Sequence, residues 1–296
     1  MPTQLRWLAN RSVSCLHAAT ALAEGRASAN APLAQTLTPA VAAVSQTLAV
    51  GNVPAGPFWR HVVPLSLGHE IDRELVELTL NKTVGRQRPE ALAPHLIAAV
   101  ASLKAVYADA LPNLLDDMEL RSGPLRDQWE ARGPGLLAGF ARQTESELLV
   151  EQADVLLVDP ILGGGGEAHL AYNSVRLEAV LANPIAELPE IARLGWLVAM
   201  LNQDLPRYSE RLPIERARDV IALATLPPLL EAAVDVELVR PTPDTLRLAI
   251  AEWCRPAADS ALLADAVTAW WQTYIETRPS WELALAALDQ MTRLAP

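Results

Sequence analysis

Four consecutive glycines, Gly163-Gly164-Gly165-Gly166, restrict what this chain can build more than any other feature. Only glycine visits positive φ without a steric penalty, so a run of four marks backbone that turns through conformations closed to other residues. The run stands between two strand-like segments. Val155-Leu156-Leu157-Val158 is apolar and ends at Asp159-Pro160; in 175–181, Val175, Leu177 and Ala179 alternate with Arg176 and Glu178. The first reads as a buried strand and the second as a strand with one polar side. A loop without a full crossover suits antiparallel pairing. The expectation is therefore a small antiparallel β element near 154–181, with the glycines in its turn.

Nearly everything else carries the helical period. Ile71, Leu75 and Leu78 fall at i, i+4 and i+7, and Leu92, Leu96, Val100 and Leu103 share a face. Leu188, Ile191, Leu194, Val198 and Leu201 do the same ahead of Pro206. Residues 3–23 read as one amphipathic helix and 33–50 as a second, while Pro64 makes 61–68 read as partly extended. Gly133-Pro134-Gly135 reads as a break between two helices. The C-terminal third reads as helices only, at about 213–235 (interrupted near Pro227-Pro228), 243–254, 258–277 and 280–293. The fold class is thus mainly α, or α+β in the loose sense: a multi-helix globular protein. With no fixed-period repeat, the chain reads as one unit over 1–296. A subdivision would give an N-terminal helical part (1–120), a mixed part (121–210) and a C-terminal helical part (211–296).

A net charge of −11 lacks the positive field that nucleic acid requires, and anionic membranes would repel it. No apolar run reaches the length of a membrane span. The expected partners exclude both. Lysine occurs only at Lys82 and Lys104, so arginine carries the positive charge; compositional bias is the first reading and bidentate anion binding the second. The densest basic pairs, Arg86/Arg88 and Arg207/Arg211, read as solvated helix ends. Two distant cysteines, Cys15 and Cys254, suit a reducing compartment, so the expected location is cytoplasmic.

Candidate chemistry is sparse. His69-Glu70 begins a zinc-protease motif, but Arg73 stands where the second histidine is needed. No metal site and no cofactor motif follow. Asp159, Glu167 and His169, around the glycines, are the densest set of acid, base or metal groups. The glycines do not open a helix and no lysine follows them, so phosphate-loop and dinucleotide fingerprints both fail, and Glu167 would oppose a phosphate. Of eight tryptophans, Trp270 and Trp271 are adjacent and point about 100° apart on a helix. One of them is a candidate interaction surface.

Two resemblances add to this. The blocks Gln128-Trp129-Glu130-Ala131-Arg132-Gly133-Pro134-Gly135, Val175-Arg176-Leu177-Glu178 and Leu188-Pro189-Glu190-Ile191-Ala192-Arg193 resemble a family of uncharacterised bacterial proteins. That family implies no activity. The order helix, strand, glycine loop, edge-type strand, amphipathic helix is similar to the core of zincin metallopeptidases. The corresponding helix here, Glu190-Ile191-Ala192-Arg193-Leu194-Gly195-Trp196, has no histidine, so no ligand carries over. Three function classes follow. The leading one is a non-catalytic helical protein that binds a protein partner or a second copy of itself, in the manner of a degenerate enzyme scaffold. The others are a metal-dependent hydrolase using Asp159, Glu167 and His169, and a small-molecule binder with an apolar interhelical pocket.

Overall fold

The computed structural model describes residues 3–85, 91–254 and 259–294, so Arg86 and Arg88 lie outside the described residues. The chain opens with a strand, β1 (Gln4–Ala9), followed by α1 (Arg11–Ala23). The single helix expected over 3–23 is therefore wrong in its first third. Asn10 separates the two elements: its side chain accepts from the amides of Ser12 and Val13 and caps α1. β1 gains its backbone partners from far away, pairing in parallel with β2 (Gln152–Val158), in register from Gln4 opposite Gln152 to Ala9 opposite Leu157.

Between these strands lie α2 (Ala31–Val50), α3 (Ala55–Leu65), α4 (Asp72–Val84), α5 (Leu92–Ala110) and α6 (Leu114–Gln143). The partly extended reading of 61–68 is corrected, because Pro64 sits in the last turn of α3. The break expected at Gly133-Pro134-Gly135 is also absent, and α6 runs through it and across the 120/121 boundary of the subdivision. A Cβ at Gly133 would lie 2.4 Å from the Trp129 ring, so the glycine lets the indole fold back along the helix.

After β2 come β3 (Gly166–His169) and β4 (Ser174–Glu178). The sheet order is β1-β2-β4-β3. β2 and β4 are parallel, and the antiparallel partner of β4 is β3. This corrects the expected pairing of 155–158 with 175–181. The glycine loop carries the chain past the β4 position to the sheet edge, β3 runs back, and β4 returns into the gap. The rest of the chain is helical: α7 (Glu190–Ala199), α8 (Pro206–Ser209), α9 (Ile214–Asp235), α10 (Thr245–Ala249), α11 (Ser260–Thr277) and α12 (Trp281–Leu294). Pro227 and Pro228 lie inside α9 without breaking it. The protein is mainly α with one small mixed sheet. Among the described residues, no helix is long and apolar enough to cross a membrane.

Helices cover both faces of the sheet, as its buried parallel strands require. His17 of α1 reaches Glu178 on the β4 face that also carries Ser174 and Arg176. On the opposite face, α7 packs its Leu197 against Gly166 and Leu177. The C-terminal helices form an aromatic cluster in which Trp270, Tyr274 and Trp281 lie within 6.0 Å of one another, centroid to centroid. Trp270 and Trp271 do not offer an interaction surface, since they are only 2% and 4% exposed. Their indole N–H groups donate inward, to the Ala284 carbonyl and the Glu231 carboxylate.

The contact between edge strand and α7 leaves no room for a side chain at Gly166. A Cβ there would lie 2.6 Å from Leu197 Cδ1 and 2.7 Å from the Arg176 carbonyl oxygen. We expect Gly166→Ala to lose about 1–3 kcal/mol of unfolding stability, measured as a lower urea midpoint at unchanged slope. An unchanged midpoint would contradict this packing.

Candidate functional site

The glycine loop is held by one side chain. Glu178, fully buried at the end of β4, accepts the Leu162 amide at 2.9 Å and the Gly164 amide at 2.7 Å. His17 Nε2 lies 2.7 Å from the same carboxylate. A carboxylate only accepts, so Nε2 carries the proton and Nδ1 is left as a bare lone pair. The loop bends through φ values of +78°, +136° and +157° at Gly163, Gly164 and Gly165. A side chain at Gly164 would also meet Pro184 at 2.5 Å. The run thus serves both a turn and a close approach.

Of the three sequence candidates, only two come together. Asp159 lies beyond the C-terminal end of β2, where its backbone N–H donates to Ser14 Oγ at 3.3 Å. Burial pushes its carboxyl up to about 6 against the pull of Arg121, with Glu178 and Asp117 adding to the rise. Glu167 and His169 share a face of β3, with His169 opposite Ser174 near the other end of the sheet. Glu167 is clamped between two guanidiniums: Arg176 donates at 2.5 Å and Arg218 of α9 at 2.6 Å. Burial would raise the Glu167 carboxyl, but Arg176 and Arg218 outweigh it and hold the group well below the usual carboxylate range. Burial pushes His169 down to about 3, despite the opposing pull of Glu167. Among the described residues, no three metal-ligating side chains converge.

What sequence reasoning missed is the set of arginines. A pocket of about 270 Å³ lies against Gly165 and Gly166, and Arg26, Arg176, Arg193 and Arg218 line it. Glu167 stands among them, with Glu24 and Glu252 also on the lining. Arg193 of α7 pairs with Glu190 at 3.1 Å, both nearly inaccessible, and lies 5.6 Å from the centre of the Trp253 ring. Trp253 reaches this position from a π-helical turn, Ile250–Cys254, and packs on Trp196 at 5.5 Å. Such turns recur at functional sites because the extra residue re-aims a side chain. The alternation of 175–181 showed Arg176 on a polar strand side, but nothing local links it to Arg26, Arg193 or Arg218.

A second cleft, of about 510 Å³, lies on the other side of the Arg218–Glu167 link. His169, Tyr172, Arg60 and Arg218 give it polar groups, and Leu170, Leu212 and Ile214 give it an apolar wall. Tyr172 Oη lies 2.7 Å from His61 Nδ1. His169 Nε2 has no hydrogen-bond partner among the described residues. Comparison of the chain with protein-family models, with curated proteins and with solved structures finds no match.

The buried histidines make stability depend on pH. Burial, with Arg176 next, lowers His17 from 6.5 to about 4, and His169 falls from 6.5 to about 3. Between about pH 4 and 6.5 the unfolded chain therefore binds more protons at both, and stability rises with pH. Asp159, raised from 3.8 to about 6, opposes this with a single proton. Urea unfolding is expected to give a higher free energy at pH 7 than at pH 5. His17→Gln, which keeps a donor toward Glu178, should flatten the slope. A stability that is flat or falls with pH in the parent protein would count against both buried neutral rings.

Proposed function

We propose that this protein acts by binding and not by covalent chemistry, on a scaffold that resembles an enzyme's but has lost its reacting groups. The observation that carries this reading is the Arg176–Glu167–Arg218 link, which commits the carboxylate best placed to act as a base. A general base needs a proton affinity near the working pH, and a carboxylate between two guanidiniums has the opposite tendency. The zincin-like resemblance belongs to the same proposal. What supports it is the order of parallel strands, antiparallel edge strand and following helix. In α7, Glu190 and Arg193 form an ion pair where that family would carry metal ligands.

The partner in this reading is a protein or a second copy of the chain, and a bacterial cytoplasm is its setting. The thiols of Cys15 and Cys254 are unpaired, and burial pushes Cys15 up to about 12, which suits an inert role. A second reading, binding of a small molecule, is favoured by the 510 Å³ cleft. Its volume falls in the ordinary range for ligand pockets, with a few polar groups converging on an apolar wall.

Metal analysis of the purified protein is expected to find less than one equivalent of transition metal. Stoichiometric zinc that disappears in His169→Ala would overturn the binding proposal in favour of a metal-dependent hydrolase. Light scattering at micromolar concentration is expected to show a dimer or larger species. A clean monomer with no copurifying protein would shift the balance to the small-molecule reading.

A further inference from the structure

We propose that the arginine-lined pocket against Gly165 is an anion site for the phosphate or carboxylate group of a compact ligand. This rests on the binding reading above and names the chemistry that would be bound. In a chain with net charge −11, four guanidiniums from four separate segments meet around one small cavity. Arg26 follows α1, Arg176 lies on β4, Arg193 on α7 and Arg218 on α9. Like charges repel, and bringing them together is favourable only with anions between them. Glu167 supplies one such charge but is shared by two arginines. Glu24 is exposed at the rim and Glu252 half-buried. The lining carries four positive groups against three negative ones, and Glu190 adds a fourth carboxylate against Arg193.

Space and hydrogen bonding point the same way. A Cβ at Gly165 would sit 3.5 Å from Arg193 Nη1 and 3.9 Å from Arg26 Nη2. Two guanidiniums thus flank one stretch of bare backbone, and glycine keeps the gap open. Guanidinium forks match the geometry of carboxylate and phosphate oxygens. Two further donors at the pocket have no acceptor among the described residues, the Trp253 indole N–H and the Arg176 Nε–H. Trp253 is 93% buried and Arg176 96% buried, by exposures of 7% and 4%. Buried donors without acceptors are rare, and both of these belong to residues that line the cavity. A volume of about 270 Å³ equals roughly nine waters, enough for one oxyanion group and a few carbons. The sequence objection that Glu167 would repel a phosphate loses its force, because Arg176 and Arg218 neutralise that carboxylate.

The test is isothermal titration of the full chain with inorganic phosphate and, separately, with citrate, at constant ionic strength. Saturable binding at one site is expected for at least one of them. Tighter phosphate binding would identify a phosphorylated ligand, and tighter citrate binding a carboxylate ligand. Arg26→Gln should weaken binding roughly tenfold or more in a variant whose cooperative urea transition shows that it is folded. Arg247→Gln, an exposed arginine outside the pocket, should leave it unchanged. No saturable binding of either anion at about 10 mM, or Arg26→Gln binding as tightly as the parent, would overturn the proposal. That failure is distinct from failure of the binding reading, which the metal analysis decides by itself.

Discussion

The fold depends on a buried carboxylate. A charge removed from water is tolerated only when donors surround it, and Glu178 gathers its donors from two places at once. It fixes the glycine loop through two amides, takes a hydrogen bond from α1 through His17, and sits on β4 at the centre of the sheet. The Glu178 amide also donates to the Gly165 carbonyl. Strand, loop and helix are thereby held in one arrangement. The positive φ values of Gly163 to Gly165 follow from this clamp, since amides at alternate positions can reach one carboxylate only if the backbone curls around it.

Around that clamp the charged groups are paired and not exposed for reaction. Arg176–Glu167–Arg218 joins β4, β3 and α9, and Arg193–Glu190 lies within α7. Buried ion pairs contribute little net stability, because desolvation offsets their attraction, yet removing one member strands the other. Their effect here is positional. They hold three of the four guanidiniums around a small cavity and leave the adjoining cleft with an apolar wall and a buried, neutral His169.

Much of this was visible in the residues, and the limits are physical. Helices α4, α5, α11 and α12 matched their periodic stripes to within a few residues because each buries one face along its own length. β1 was not legible. A six-residue segment with Leu5 and Leu8 fits a helical stripe as well as a strand, and only pairing with β2 decides. The direction of β4 relative to β2 was lost for the same reason, because β3 is four residues long and hid inside the loop. At the site, Glu167 and His169 were recognised as neighbours of the glycines. Arg26, Arg193 and Arg218 were not, because tertiary packing alone brings their segments together. Trp270 and Trp271 misled because helical geometry separates their directions, while α9 and α12 cover both.

The parallel pairing of β1 with β2 has a consequence for how the chain acquires its structure. Residues opposite each other in that ladder, such as Arg6 and Asp154, are 148 positions apart, and their side chains join at 2.7 Å. A chain synthesised from its N-terminus must therefore hold β1 without a sheet partner until half of the protein has been made. Such non-local contacts form late and slow folding. Meanwhile the intervening helices α1 to α5 can associate through local contacts. The first strand is then an edge waiting for its neighbour, exposed to pairing with other chains until β2 has been made and joins it.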